Sequence, residues 1–308
     1  MTTQNGNRYA KPEDLTKFAW LSIAAAIATI VLKMIAAMIT NSVGLLSDAA
    51  ESLVNLVAAV VALITLRIAI RPSDDDHPYG HSKAEYFSAA LEGIMIFVAA
   101  LFIIGSAISR LLHPVMPESI GLGLLINVMA GVVNGVVALI LYRSGKRHRS
   151  ATLLADSKHL FTDVLTSIAV LLGVGLVAIF KMPILDAIVA LLAGINIIFM
   201  GIQIIKTAVD GLMDVALPDE VVEALNNILD KHRVENHTDF HAVRTREAGN
   251  RRFMSLHVLV PGEWSVKKGH DYVENLIDEL VEQVPDLRVQ AHLEPIGDPK
   301  SYEDINDI

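Results

Sequence analysis

The chain has 308 residues, 53% of them hydrophobic, a mean hydropathy of +0.47 and a formal net charge of -9. That balance is too apolar for an ordinary soluble domain of this size and indicates a membrane protein, while the acidic excess argues against a nucleic-acid partner, which needs a basic face. With no cysteine present, disulfides, thiolate nucleophiles and sulfur-ligated metals are excluded, and any metal must be held by imidazole, carboxylate, amide, carbonyl or water.

The first 16 residues form a polar tail. The apolar run that follows is long and has no small-residue cleavage site, so the tail is expected to stay attached rather than leave with a signal peptide. Apolar stretches of about 20 residues or more can cross a bilayer as helices. Six such predicted spans occupy residues 17–212: 17–40, 43–70, 84–112, 117–142, 151–180 and 183–212. Trp20 and the Tyr142 to Arg143 pair are suited to be interfacial anchors. Basic residues gather at Arg8, Lys11 and Lys17, at Arg67, Arg71 and Lys83, and at Arg143, Lys146, Arg147 and Arg149, whereas the alternate loops hold only Arg110 and Lys181. The positive-inside rule then puts both termini in the cytoplasm.

Residues 213–308 have a charged, soluble composition. A helix is predicted to start at Leu217-Pro218-Asp219, two strands follow in FHAVRTREAGN and RRFMSLHVLVPG, then an amphipathic helix in SVKKGHDYVENLIDELVEQV and a third strand in RVQAHLEPI. The fold class expected is therefore an α-helical membrane protein with six transmembrane helices plus a C-terminal α+β domain of order αββαβ. In the second strand Met254, Leu256, Val258 and Val260 alternate onto an apolar face, which leaves His257 on the other; His292 and Glu294 lie on the polar face of the third strand.

The second span contains Asp48, Glu51 and Asn55, and the fifth contains Asp156, His159 and Asp163, the same spacing repeated 108 positions later. Positions i, i+3 and i+7 share one helix face, so each set forms a stripe at membrane depth. An ionisable group there costs at least about 2.5–3.5 kcal/mol and normally faces the bundle interior with a partner. One such residue is most simply polar glue between packed helices, but two matched stripes ask for more. Glu51, Asn55, His159 and Asp163 bring two carboxylates, an amide oxygen and an imidazole, a usable ligand set for a first-row divalent cation. Spans two and five run in opposite directions, as in an inverted repeat with a midplane site, so Asp48 and Asp156 fall on opposite sides of the ligands as relay candidates. Lys33 and Glu92, also at membrane depth, fit snorkelling or mutual neutralisation as well as a proton-pathway role.

Between spans two and three, RPSDDDHPYGHSKAE offers Asp74, Asp75, Asp76, His77 and His81. A bare run of three aspartates is ordinarily a solvated loop, yet histidines four apart directly after it favour a cation-attracting site. In the C-terminal region His241, His257, His270, His292 and Glu294 are each unremarked alone. The shared face of His257, His292 and Glu294 favours joint metal ligation.

Six spans, matched polar residues on spans two and five, DDDHPYGHSKAE after span two and the αββαβ region together resemble the cation diffusion facilitator family, in particular its bacterial iron and zinc efflux type. The likeness runs from about residue 15 to 296, and H-P-Y-G-H-x-K-x-E is its most specific local signature. The resemblance implies a homodimer in the inner (plasma) membrane that exports divalent metal in exchange for protons, with a metallochaperone-like C-terminal domain binding further metal at the dimer interface. It places a transport site on Glu51, Asn55, His159 and Asp163, a loop site on Asp74, His77 and His81, and a C-terminal cluster on His241, His257, His292 and Glu294, with His270 beside it. It also implies a charge interlock through Lys83 and Asp214. Zinc transporters of the family usually carry His or Asp followed by Asp on span two; Glu51 and Asn55 here leave the metal open among Zn²⁺, Fe²⁺, Mn²⁺ and Co²⁺. An intramembrane metallohydrolase would need an activated water and usually an H-E-x-x-H motif, which is absent. A membrane metal sensor that binds without transporting is the alternative, though it has no need of ligands at the midplane.

Overall fold

The computed structural model describes residues 13–40, 43–113, 122–182 and 184–303. They divide into two compact units, Glu13–Asp210 and residues 211–303.

The first unit contains α1 (Thr16–Thr40), α2 (Val43–Ala69), α3 (Ala84–Leu112), α4 (Leu122–His148), α5 (Ala151–Phe180) and α6 (Ile184–Leu212), with the last residues of α6 passing into the second unit. Among the described residues five of these helices are long and apolar enough to cross a membrane, and α2 contributes a shorter apolar stretch, Asn55–Ala69. Large apolar side chains such as Phe87, Leu192 and Phe199 are exposed on the outside of the bundle, the placement expected where lipid replaces water. Two apolar cores form inside it. One joins α1, α2, α4 and α5 through residues such as Ala19, Leu66, Leu141 and Leu153; the other joins α3, α5 and α6 through Ile96, Ala155 and Ile197. The helix α5 belongs to both cores, and it carries His159 and Asp163.

The sequence predicts α4 over 117–142, but the helix runs on to His148. Its last turn holds Lys146, Arg147 and His148, cations that favour the negative end of the helix dipole, so a hydropathy pattern that stops at the first charge ends too early. Gly145 permits the close turn into α5, since a Cβ there would stand 3.0 Å from the Leu154 backbone nitrogen.

The start of α5 is tied down by a buried carboxylate. Ser150 caps the helix by accepting from the Leu153 N–H at 3.3 Å, while its hydroxyl donates to Glu85 of α3. Glu85 also accepts from the Thr152 N–H at 3.3 Å and is only 3% exposed. An anion at a helix N-terminus satisfies otherwise orphaned donors and the positive dipole end. Glu85→Ala is therefore expected to cost about 1–3 kcal/mol for each buried donor left bare. The expected readout is faster amide hydrogen exchange over residues 151–156 of the full-length protein, against unchanged exchange in the C-terminal unit.

The second unit holds α7 (Asp219–Asn236), β1 (Asp239–Ala248), β2 (Arg251–Val260), α8 (Val266–Gln283), β3 (Leu287–Pro295) and the 3-10 turn Pro299–Tyr302. The order αββαβ agrees with the sequence reading. The sheet runs β1-β2-β3, with β1 and β2 antiparallel across Gly249 and Asn250, and β2 and β3 parallel, joined by α8. Met254, Leu256, Val258 and Val260 pack with Leu225 and Leu229 of α7 and Leu276 and Leu280 of α8. Both helices thus cover one face, and strand alternation sends His257 to the other.

Candidate functional site

Within the bundle α2, α4 and α5 bring four side chains together. The Asn55 amide donates to Asp163 Oδ2 at 2.5 Å, and the Asn134 amide of α4 donates to the same oxygen at 3.0 Å. Asn55 Oδ1 faces His159 Nε2 at 2.8 Å. An asparagine that turns its NH₂ to a carboxylate must offer its carbonyl to the imidazole, so this network assigns the His159 proton to Nε2. His159 is 6% exposed. Three N–H contacts join the four groups, and a cation entering among Asn55 Oδ1, Asp163 and His159 would take the place of those that Asn55 and His159 make. Glu51 and Asp48 lie on α2 one and two turns before Asn55; their side chains fall outside the described residues. Asn134 was missed by the sequence reading, although an amide inside an apolar span is itself a signal. It stands seven residues after Asn127, which accepts from the Ser167 hydroxyl at 2.7 Å one turn beyond Asp163.

A cavity of about 810 Å³ adjoins this cluster. Its wall includes Asn55, Asn134, His159 and Asp163 toward one end, Arg110 and Asp186 at the other, where α3 stops and α6 starts, and Lys33 of α1. Arg110 Nη1 and Asp186 Oδ2 form an ion pair at 2.8 Å there. Asp156, 1% exposed, accepts from the Ser22 hydroxyl of α1 at 3.2 Å. Glu92 is 0% exposed in the bundle interior, one turn after the buried Ser88 on α3.

At the end of the bundle away from Arg110, the loop after α2 forms a second cluster. Asp74 Oδ1 accepts from the His77 backbone N–H at 2.7 Å and meets His77 Nδ1 at 3.1 Å, and Asp74 Oδ2 lies 3.3 Å from His81 Nε2. Slight desolvation opposes ionisation of Asp74, but the hydrogen bonds from His77 outweigh it and hold the carboxyl below its usual range. His81 Nδ1 lies 3.2 Å from the Pro72 carbonyl, which only an Nδ1–H can satisfy, so its other ring nitrogen, Nε2, is the one that faces Asp74 Oδ2. Lys83 directly precedes α3.

In the C-terminal unit the register sets His241, His257 and His292 side by side across β1, β2 and β3. Glu294 is their hub: it lies 2.9 Å from His241 Nε2, 3.3 Å from His257 Nδ1 and 3.4 Å from His292 Nε2, with only 8% of its side chain exposed. One ligand atom each from His241, His257 and Glu294 falls within 4.8 Å of the others. The Tyr302 ring stands edge-on to His241 with centroids 5.7 Å apart. His270 is exposed on α8 and is not among the side chains gathered at Glu294. Asp214 accepts from Arg246 at 3.0 Å. Glu294→Gln keeps the shape but removes the charge shared by three imidazoles, so Zn²⁺ binding by the full-length protein is expected to lose one class of site by on the order of 10- to 100-fold in affinity, read by calorimetric titration.

Family models match both parts of the chain: the cation efflux transmembrane domain over residues 19–213 and the cation efflux protein cytoplasmic domain over residues 217–296. An uncharacterized transporter of Synechocystis sp. is 46% identical over 296 residues, spanning 96% of this chain and 94% of that protein. The cation-efflux pump FieF of Serratia proteamaculans is 30% identical over 285 residues, spanning 91% and 93%. Protein p34 of Rickettsia rickettsii is 25% identical over 299 residues, spanning 96% of each.

Proposed function

Because the chain belongs to the cation efflux family, whose members are multi-pass membrane transporters and not enzymes, we propose that it exports a divalent metal cation from the cytoplasm in exchange for protons. The observation that carries this reading is the convergence of Asn55, His159 and Asp163 at one end of a cavity inside the bundle. Glu51, one turn from Asn55, supplies the fourth ligand. The pair of carboxylates on Glu51 and Asp163 matches the charge of the ion, and imidazole and oxygen donors suit Fe²⁺, Mn²⁺, Co²⁺ or Zn²⁺.

On this reading residues 17–212 form six spans, with α2 as the sixth, residues 213–308 lie in the cytoplasm with the N-terminal tail, and the protein sits in the inner membrane. Metal enters past the Asp74, His77 and His81 loop, reaches the midplane, and leaves through the cavity that ends at Arg110 and Asp186. His159 binds metal only without a proton on the ligating nitrogen, and an unperturbed imidazole titrates near pH 6.5. Protons arriving from outside therefore compete the ion off. The C-terminal domain pairs two copies into a homodimer, supported by its match to the family's cytoplasmic domain. Metal at His241, His257, His292 and Glu294 adjusts that pairing to supply, with Lys83 and Asp214 contributing near the membrane surface.

The test is flux. Purified protein in liposomes, given Zn²⁺, Fe²⁺, Mn²⁺ or Co²⁺ in turn under an imposed pH gradient, is expected to move at least one of them, faster with the gradient than without. Binding of metal with no movement of any ion would make the protein a sensor instead.

A further inference from the structure

Lys33 lines the same cavity as Asn55, His159 and Asp163, and no ligand role uses it. The hydrogen bond from Ser22 to Asp156 fixes the relative height of α1 and α5. From that level, Lys33 lies about 16 Å further along α1 and Asp163 about 10 Å further along α5, at 1.5 Å per residue. The difference of about 6 Å is the length of a lysine side chain, and helical side chains lean back toward the N-terminus. The reach of the Lys33 side chain therefore covers the height of the Asp163 carboxylate. The charged and titratable groups on the described cavity wall are Lys33, Arg110, His159, Asp163 and Asp186, and Arg110 is engaged with Asp186 at the far end.

We propose that Lys33 is a tethered counter-cation of the transport site, whose ammonium neutralises Asp163 when the metal has left and swings aside when a metal returns. This rests on the reading that Glu51, Asn55, His159 and Asp163 hold the ion. Two carboxylates at membrane depth bind a divalent ion tightly, and tight binding slows release. A built-in positive charge raises the energy of the loaded site and lowers that of the empty one. Both effects favour release, and they need no proton to act. Lys33 is thus a specificity-determining and release-determining residue: a monovalent tethered cation is displaced by a divalent ion but not by Na⁺ or K⁺.

The test uses full-length protein in liposomes with Co²⁺ flux as readout. Lys33→Met is expected to lower KM for Co²⁺ on the order of 10- to 100-fold and to lower kcat as well, because release becomes limiting. Lys33→Arg, which keeps the charge, is expected to return both values toward those of the wild type. Lys33→Gln serves as a second neutral variant, and a merely misfolded protein loses kcat without a fall in KM. An unchanged or raised KM in both neutral variants would overturn the proposal and leave Lys33 as a snorkelling residue. Asp163→Ala is run beside them: if it retains normal flux, the ligand assignment itself fails, independently of Lys33.

Discussion

Asp163→Ala is expected to abolish metal flux while the protein still folds. Asp163 Oδ2 is where the amides of Asn55 and Asn134 converge, at 2.5 and 3.0 Å, so one carboxylate is both the charge that attracts the ion and the anchor that orients its neighbours. Removing one member of a buried, hydrogen-bonded charged set costs on the order of 3–5 kcal/mol, equivalent to two to three decades or more in binding. The amides left behind border a cavity, so water can satisfy them and the helices keep their packing. The measurement is pH-driven flux in vesicles together with gel filtration of the variant. An intact protein with no flux is the expected result, and normal flux from an intact protein would remove Asp163 from the ligand set.

Asn55→Asp is expected to change which metal is carried and at what pH. Asn55 now joins the two helices by donating to Asp163 and offering its carbonyl to His159 at 2.8 Å. Aspartate cannot donate to Asp163, and it sets a second carboxylate where a hydrogen bond stood. Like charges at that distance require a cation or a proton between them. Every divalent ion should therefore bind more tightly, by about tenfold or more, and release should require more protons, so that the flux maximum moves to lower external pH. The added charge also makes the site more compact around a small ion, which shifts the ranking from Fe²⁺, Mn²⁺ and Co²⁺ toward Zn²⁺. Competition flux across about pH 6 to 8 decides the matter: the same ranking and the same pH profile as wild type would make Asn55 a packing residue.

Particular residues explain what was and was not legible in the sequence. The repeated spacing of Asp48, Glu51 and Asn55 with Asp156, His159 and Asp163 could be read because helical periodicity is local, and the structure joins His159 and Asp163 through Asn55, which contacts both. Asn134 belongs to neither stripe and has no counterpart elsewhere in the chain, so only packing of α4 on α5 reveals that it holds Asp163. Glu85 stands in the most recognisable stretch of the sequence, yet its task as the anchor of α5 depends on Ser150 and Thr152, more than sixty residues away. The alternation of β3 put Glu294 on the polar face, but its place as hub needs the parallel register of β2 with β3 and the irregular pairing between His241 and Arg244, and neither is encoded locally. His270 shares a residue type with the cluster but sits on α8, on the helix side of the sheet.

The central claim is that an ion held at Asn55, His159 and Asp163 crosses the membrane as protons move the other way. Simultaneous recording of metal uptake and proton movement in the same vesicles tests it most directly, with wild type and Asp163→Ala compared at equal protein content. The expected result is metal flux with a proportional opposite flux of protons in the wild type, and neither in the variant. Metal flux without proton movement, or metal binding without flux, would contradict it.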